Sequence, residues 1–319
     1  MTRRSTTTLE DLPADVLACA LRRLDGPSLA AASCATAGLR ALAADPETWR
    51  ALCLARWPSL AAARPDLLLA SPQRLFADAF PFPADDDSAT SAAPPMARAE
   101  AEPQLPVPSG LVSAVDVYHR GEPLLSRVVE TCTSSSWFLA SPFRVDAVEC
   151  KGPAVPVGRA AAAAAPAELE LSWVAVDPGS GRAVNVSSRR PVAVDRHWYT
   201  GDTLLRYALV LAGCKFEATV TCALETAHVR EISLTVEDAD GAAVSGEGAM
   251  RLIAAAMVGP RKGGEEEQEE TARRRYRDFV RSKRGRKESK ARKEVLVDLC
   301  CSAVSAVAVL SFIAAVVLR

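Results

Sequence analysis

The sequence predicts an α+β multidomain chain. It has an N-terminal three-helix module, then an antiparallel β-sandwich-like domain, then a C-terminal single transmembrane helix. Three observations predict this. Residues 12–57 carry apolar side chains at helical spacing, broken by turn chemistry. Residues 111–237 hold short runs rich in Val, Leu, Thr and aromatics. Residues 299–318 contain no charged side chain. The boundaries are 9–57 for the helical module and 58–108 for a helical extension and disordered linker. The β-rich domain takes 109–258, a charged linker 259–294 and a membrane anchor 295–319.

Pro13 suits a first helical position, where its missing N–H is not needed. Val16, Leu17, Cys19, Ala20, Leu21 and Leu24 then share a broad apolar face. Asp25-Gly26-Pro27-Ser28 is turn chemistry and ends that helix. Leu29, Ala32, Ala35, Leu39 and Leu42 continue the period in a second helical region, with Gly38 as its weak point. Asp45 is a good N-cap for a third helix, with Pro46 at its first position and Glu47 complementing the helix dipole. Trp49, Leu52 and Cys53 form the apolar face of that helix, and Trp57-Pro58 ends it. Three short helices bury little surface alone, which suits a module completed by a partner.

The ordered set is Leu12-Pro13, Asp25-Gly26-Pro27-Ser28-Leu29, Leu39-Arg40-x-Leu42 and Asp45-x-x-x-Trp49-Arg50-x-Leu52-Cys53. It resembles an F-box, the helical module by which substrate adaptors join SCF-type ubiquitin ligases. The resemblance implies docking on a Skp1-type adaptor and, through it, on a cullin. The implied contacts are Leu12, Pro13, Val16, Leu17, Leu21, Leu24, Leu29 and Leu42. Trp49, Leu52 and Trp57 are expected to hold the helices together.

Residues 82–108 are rich in Pro, Ala, Ser and acid, a composition that buries little surface and reads as a hinge or exposed loop. Beyond it, LVSAVDVYH, LLSRVVET, WFLASPFRVDAVE, ELELSWVAVD, ALVLAGCKFEATVTCAL and VREISLTVED read as strands. Val115/Val117, Leu169/Leu171 and Ile232/Leu234/Val236 alternate with period two. Turn signals fall at Arg120-Gly121-Glu122-Pro123, Asp177-Pro178-Gly179-Ser180-Gly181 and Glu237-Asp238-Ala239-Asp240-Gly241. An alanine tract at 160–165 reads as an inserted loop, and 246–258 as a closing helix. Trp137, Phe138, Phe143 and Trp173 are expected in the core.

Leu299 to Leu318 would span about 30 Å as a helix, the thickness of a bilayer core. It follows a basic stretch with twelve Lys/Arg at 273–293. That order suggests a single-pass tail anchor with the bulk of the chain in the cytoplasm, the basic stretch lying against anionic lipid. A cytoplasmic or nuclear chain with a solvated basic helix is the alternative. No apolar run follows the Thr-rich start, so no secretory signal peptide is expected.

The 38 basic and 39 acidic residues nearly cancel, so no whole-protein field argues for nucleic acid. Nine cysteines show no C-x-x-C and no zinc-like spacing with histidine, which favours reduced thiols. His119, His197 and His228 are far apart in sequence, and no P-loop, G-x-G-x-x-G, G-x-S-x-G or H-E-x-x-H occurs. No catalytic residue, metal or cofactor is expected. SSRRPVAVDRHWYTGD holds the densest group of functional side chains. Arg189, Arg190, Arg196, His197, Trp198 and Tyr199 form a candidate target-binding surface, because arginine forks suit carboxylate or phosphate and aromatics favour interface centres. The competing reading pairs these arginines with acids across strands and puts Trp198 in the core.

SxxWFLxSPFRVD at 134–146, LSWVAVDP at 171–178, SSRRPVxVxRHWYTGD at 187–202 and HVREISLTVEDADG at 228–241 are similar to one group of plant F-box proteins with an uncharacterised β-rich C-terminal region. The resemblance implies a non-catalytic substrate-recognition subunit of an SCF-type E3 ligase, with the β domain gripping a protein target. The alternative is a membrane-anchored scaffold whose β domain binds a small molecule or glycan.

Overall fold

Strand β1 (Gly110–His119) is buried along nearly its whole length, and the architecture follows from that. Its odd-numbered residues Leu111, Val115 and Val117 enter one hydrophobic core, while Val112 and Ala114 enter a second on the other side. The expected Val115/Val117 alternation is thus one of two apolar faces of a strand covered on both sides. The chain is described here from a computed structural model that covers residues 12–62, 71–80, 83, 106–149, 168–223, 228–261 and 265–318. The alanine tract and most of the expected 82–108 linker lie outside the described residues.

Strand β1 pairs antiparallel with β2 (Glu122–Cys132) and β4 (Leu169–Val176), and β5 (Ala183–Asn185) completes a four-stranded sheet in the order β2-β1-β4-β5. The second sheet is built from β3 (Arg144–Val148), β6 (Ala193–Arg196), β7 (Thr203–Leu211), β8 (Cys214–Cys222) and β9 (Val229–Glu237). Its order is β3-β9-β8-β7-β6, again antiparallel throughout. The core shared by the sheets includes Leu171, Trp173, Tyr207, Phe216 and Leu234. The α+β expectation with antiparallel sheets is therefore met.

Four helices stand where three were expected: α1 (Ala14–Leu21), α2 (Gly26–Ala35), α3 (Ala37–Ala43) and α4 (Pro46–Arg56). The second helical region divides at Thr36, not at Gly38. Thr36 is extended (φ −143°, ψ 161°), and its hydroxyl accepts the Leu39 N–H to cap α3. A 3₁₀ turn at Pro58–Ala61 and α5 (Pro72–Ala79) follow. Leu21, Leu29, Trp49, Trp57, Leu60, Leu75 and Phe76 pack with Val112, Ala114, Val174 and Val176. The helical layer thus lies on the outer face of the four-stranded sheet and shares a core with it.

The run WFLASPFRVDAVE is only partly strand. Ser136–Ala140 forms a short helix, α6, because the Ser135 hydroxyl accepts the Phe138 N–H at 3.0 Å. That helix corrects one core expectation: Trp137 is 78% exposed, whereas Phe138, Phe143 and Trp173 are buried. Helix α7 (Gly246–Val258) is capped by Ser245 and closes the sandwich with Met250, Ile253 and Met257. Gly246 is required by close approach, since a Cβ there would stand 2.2 Å from the Phe138 carbonyl oxygen.

The expected C-terminal transmembrane helix is corrected. Among the described residues, no helix is long and apolar enough to cross a membrane. Residues 299–318 are not a separate element. Residues 299–317 end a single helix, α8 (Glu265–Val317), of 53 residues, which also carries the whole basic stretch. The expectation isolated the apolar run from the charged helix that continues into it. The anchor, and the membrane location drawn from it, fall together. Val295, Leu296, Leu299 and Val304 near that end are exposed. Nearer its start α8 packs on the outer face of the five-stranded sheet, burying Ala272 and Phe279. There Lys215 Nζ lies 5.7 Å from the Tyr276 ring centroid and Lys283 pairs with Glu237 at 2.8 Å.

Candidate interaction surfaces

Pro13 and the first turn of α1 set the geometry of the N-terminal surface. The Pro13 carbonyl accepts both the Val16 and Leu17 N–H groups at 3.1 Å. That bonding turns Leu12, Pro13 and Val16 outward, and all three are exposed. A shallow depression beside them is lined by Asp15, Val16, Cys19, Ala20 and Arg23. Leu17, Leu24 and Leu42 are half-buried. Leu21 and Leu29 are fully engaged in the chain's own core, below that surface.

Trp49 and Trp57 hold the helices, each by ring contact with Phe76 at 5.5 Å and by its indole N–H. Trp49 Nε1 donates to the Ala43 carbonyl at 2.7 Å, while Leu52 packs against the same core from a half-buried position. Trp57 Nε1 reaches further, donating to Ser172 Oγ of β4 at 3.0 Å. Asp25 caps α2 by accepting the Ser28 N–H at 2.8 Å, and its hydrogen bonds to Ser28 lower its pKa. Asp45, expected as a backbone cap, instead accepts from the Thr48 hydroxyl at 2.6 Å.

The seam between helices and sheet is polar at its centre. The buried Asp116 carboxylate of β1 accepts the Ser59 N–H at 2.9 Å and the Ser59 hydroxyl at 2.5 Å. Burial raises its pKa, and the bonds from Ser126 and Ser59 oppose that. The Tyr118 hydroxyl donates to the Arg56 carbonyl. Asp78 of α5 pairs with Arg182 at 2.7 Å. Arg261 donates to the carbonyls of Asp78, Ala183, Ala256, Met257 and Gly259, tying α5, β5 and the C-terminus of α7 together. Sequence reasoning did not single out Asp116, Ser59, Asp78, Arg182 or Arg261. The available signal was Asp116, a charge inside an otherwise apolar strand, which needs a buried partner.

The third surface is the β6–β7 turn. The His197 N–H donates to the Asp202 carbonyl at 2.8 Å and the Gly201 N–H to the His197 carbonyl at 2.9 Å. Gly201 has φ 71°, so the turn closes with a glycine bulge. Thr200 N–H donates to His197 Nδ1 at 3.2 Å, and Arg230 holds Asp202 at 3.3 Å. This frame thrusts Trp198 (90% exposed) and Tyr199 into solvent, their rings 5.6 Å apart. Trp198 is therefore not a core residue. Arg196 adjoins them and is exposed. Arg190 is exposed at the other end of β6. Arg189 turns inward, bonding Glu170 at 2.7 Å and lying over the Tyr118 ring. The backbone N–H groups of Arg189 and Arg190 are taken by Glu269 of α8 at 2.6 and 3.2 Å. Burial raises the pKa of Glu269.

The histidines do not converge. His119 pairs with Glu168 at 3.2 Å, His197 supports the β6–β7 turn, and the His228 carbonyl accepts the Ala223 N–H. Among the described residues no cluster of His, Cys, Asp and Glu could hold a metal ion.

Three curated proteins of Arabidopsis thaliana resemble the chain over most of its length. "Probable F-box protein At2g36090" is 34% identical over 286 residues, 88% of this chain and 84% of the relative. "F-box protein At3g44326" is 34% identical over 86% of this chain and 80% of the relative, and "F-box protein At2g27310" is 32% identical over 88% of each. The chain belongs to this plant F-box protein family. No family model matches the chain, and no solved structure matches it. Two of these matches each cover 88% of the chain.

Proposed function

We propose that this F-box protein is the substrate-recognition subunit of an SCF-type E3 ubiquitin ligase. The face of α1 led by Leu12, Pro13 and Val16 docks on a Skp1-type adaptor, which links the chain to a cullin. Leu17, Leu24 and Leu42 extend that face, and Leu21 and Leu29 support it from within. The β-sandwich holds the protein target at the β6–β7 turn. The chain itself performs no bond chemistry, and ubiquitin transfer belongs to its partners.

The observation that carries this reading is the exposure of Leu12, Pro13 and Val16 at the start of the helical layer, above its buried residues Leu21, Leu29, Trp49 and Trp57. Apolar side chains left outside a completed core at the start of an F-box suit a protein interface. The shared core between helices and sheet supports a rigid bridge, with adaptor and target held at a fixed separation. The test is co-purification of a Skp1-type adaptor and cullin with the full chain from plant cells. Both should be recovered with the wild type and lost with the Leu12→Ala/Pro13→Ala variant. Equal recovery with that variant would reject the docking face.

A further inference from the structure

Strand β6 is the free edge of the five-stranded sheet, bonded to β7 alone among the named strands. Its register fixes which backbone groups are open. His197 directs its N–H to the Asp202 carbonyl and its carbonyl to the Gly201 N–H, so it faces β7, and the inward-bonded positions recur at Asp195↔Leu204 and Ala193↔Arg206. The N–H and C=O groups of Val194 and Arg196 therefore point away from β7. Among the described residues, nothing bonds them. Val194 is 49% exposed, and Arg196 shares its face two residues along. The Arg190 and Arg196 guanidinium groups make no ion pair among the described residues. Asp195, on the opposite face, is occupied by Arg206 at 2.7 Å.

We infer that β6 accepts an extended peptide segment of the target as an added strand, with an apolar residue beside Val194 and a carboxylate beside Arg196. Open amides two residues apart match the repeat of a second strand and give affinity without sequence demand. The side chains supply selectivity: Val194 takes an apolar neighbour, and Arg196 and Arg190 a carboxylate. Trp198 and Tyr199, at the end of the same edge, cover the peptide as it leaves. No proline lies within Ala193–Arg196 to block pairing, and the segment is long enough for two outward-facing pairs of hydrogen bonds. This mode rests on the reading of the β6–β7 turn as the target-binding surface, and it states how that surface grips.

The test uses the full chain and a labelled synthetic peptide in which threonine alternates with valine and glutamate, followed by fluorescence polarisation. Two further peptides carry backbone N-methyl groups on one or the other alternate set of residues. The unmodified peptide should bind, and one methylated set should bind about tenfold or more weakly while the other does not, because only one set faces the edge. Val194→Pro removes an outward N–H that β7 does not use, and should weaken binding to the same extent without unfolding the sheet. Trp198→Ala should weaken it as well. Binding that is lost in Trp198→Ala but indifferent to Val194→Pro and to both methylations would overturn the added strand and leave the turn as the binding surface. No binding by the unmodified peptide at about millimolar concentration would also overturn it. Adaptor recovery with the Val194→Pro chain separates either failure from failure of the ligase reading.

Discussion

Asp116 of β1 holds Ser59 by two hydrogen bonds, from its backbone N–H at 2.9 Å and its hydroxyl at 2.5 Å. This pair is one of the polar ties that fasten the helical layer to the β-sandwich, beside the Trp57–Ser172 and Tyr118–Arg56 bonds. Asp116→Ala would leave both Ser59 donors buried without a partner, at a cost of roughly 2–4 kcal/mol. A fall of that size in urea unfolding, with one shared transition for helices and sheet, is the expected result. Asp116→Asn, which retains an acceptor, should cost less.

The same residue makes a pH prediction. Burial raises the folded-state pKa of Asp116 above 3.8, so the folded chain binds more protons than the unfolded one in the window above that value. Its contribution therefore favours folding at the acid side and declines as pH rises from about 4 towards the raised value. Asp116→Asn removes this decline. The difference in stability between wild type and variant, measured by urea titration from pH 4 to 7, should shift against the wild type as pH rises.

Arg261 serves five carbonyl groups from three elements. A flexible ammonium cannot span them as the planar fork does. Arg261→Lys should lose about 1–2 kcal/mol and Arg261→Ala about 2–3 kcal/mol, read as shifts in unfolding midpoint.

A Cβ at Gly26 would stand 2.1 Å from the Phe76 ring. Phe76 contacts Trp49 and Trp57 and stacks on Phe80, so it has little room to yield. Gly26→Ala should cost about 1–3 kcal/mol through overpacking, although alanine is the better helix former. An unchanged melting temperature would contradict this packing of the helical core.

Ser113 Oγ is buried within β1 and has no hydrogen-bond partner among the described residues. Ser113→Ala removes an unsatisfied hydroxyl from the sheet interface and should stabilise the chain by about 1 kcal/mol, measured by thermal unfolding.

Much of this fold is legible in the residues. Pro46 marks a helix start as expected and LVSAVDVYH is a strand, whereas Asp25-Gly26-Pro27-Ser28, expected as a turn, caps and opens α2. Arg120-Gly121 forms a turn with both φ values positive, as its glycine announced. Other features depend on distant partners. ALVLAGCKFEATVTCAL reads as one run, yet Ala212-Gly213 folds it into the β7–β8 hairpin with φ 47° at an alanine, a residue with no strong turn signal. Thr36 divides a helix that periodicity leaves continuous. Gly26 reads as turn chemistry, but the need for glycine comes from Phe76, fifty positions away.

The candidate site was legible in part for the same reason. The grouping of His197, Trp198 and Tyr199 is local and survives folding as one exposed turn. Arg189 lies next to Arg190 in sequence, yet Glu170 draws it inward. The anchor expectation misread α8 by treating its apolar end apart from the helix that leads into it.

The most direct measurement is the affinity of the purified full chain for a plant Skp1-type adaptor, by isothermal titration, against Val16→Asp. A charge at that exposed position leaves the core untouched but sits in the proposed interface. The wild type should bind, and the variant should lose about a hundredfold or more in affinity with unchanged unfolding. Equal affinity in the two chains, or no binding by the wild type, would contradict the proposed interface.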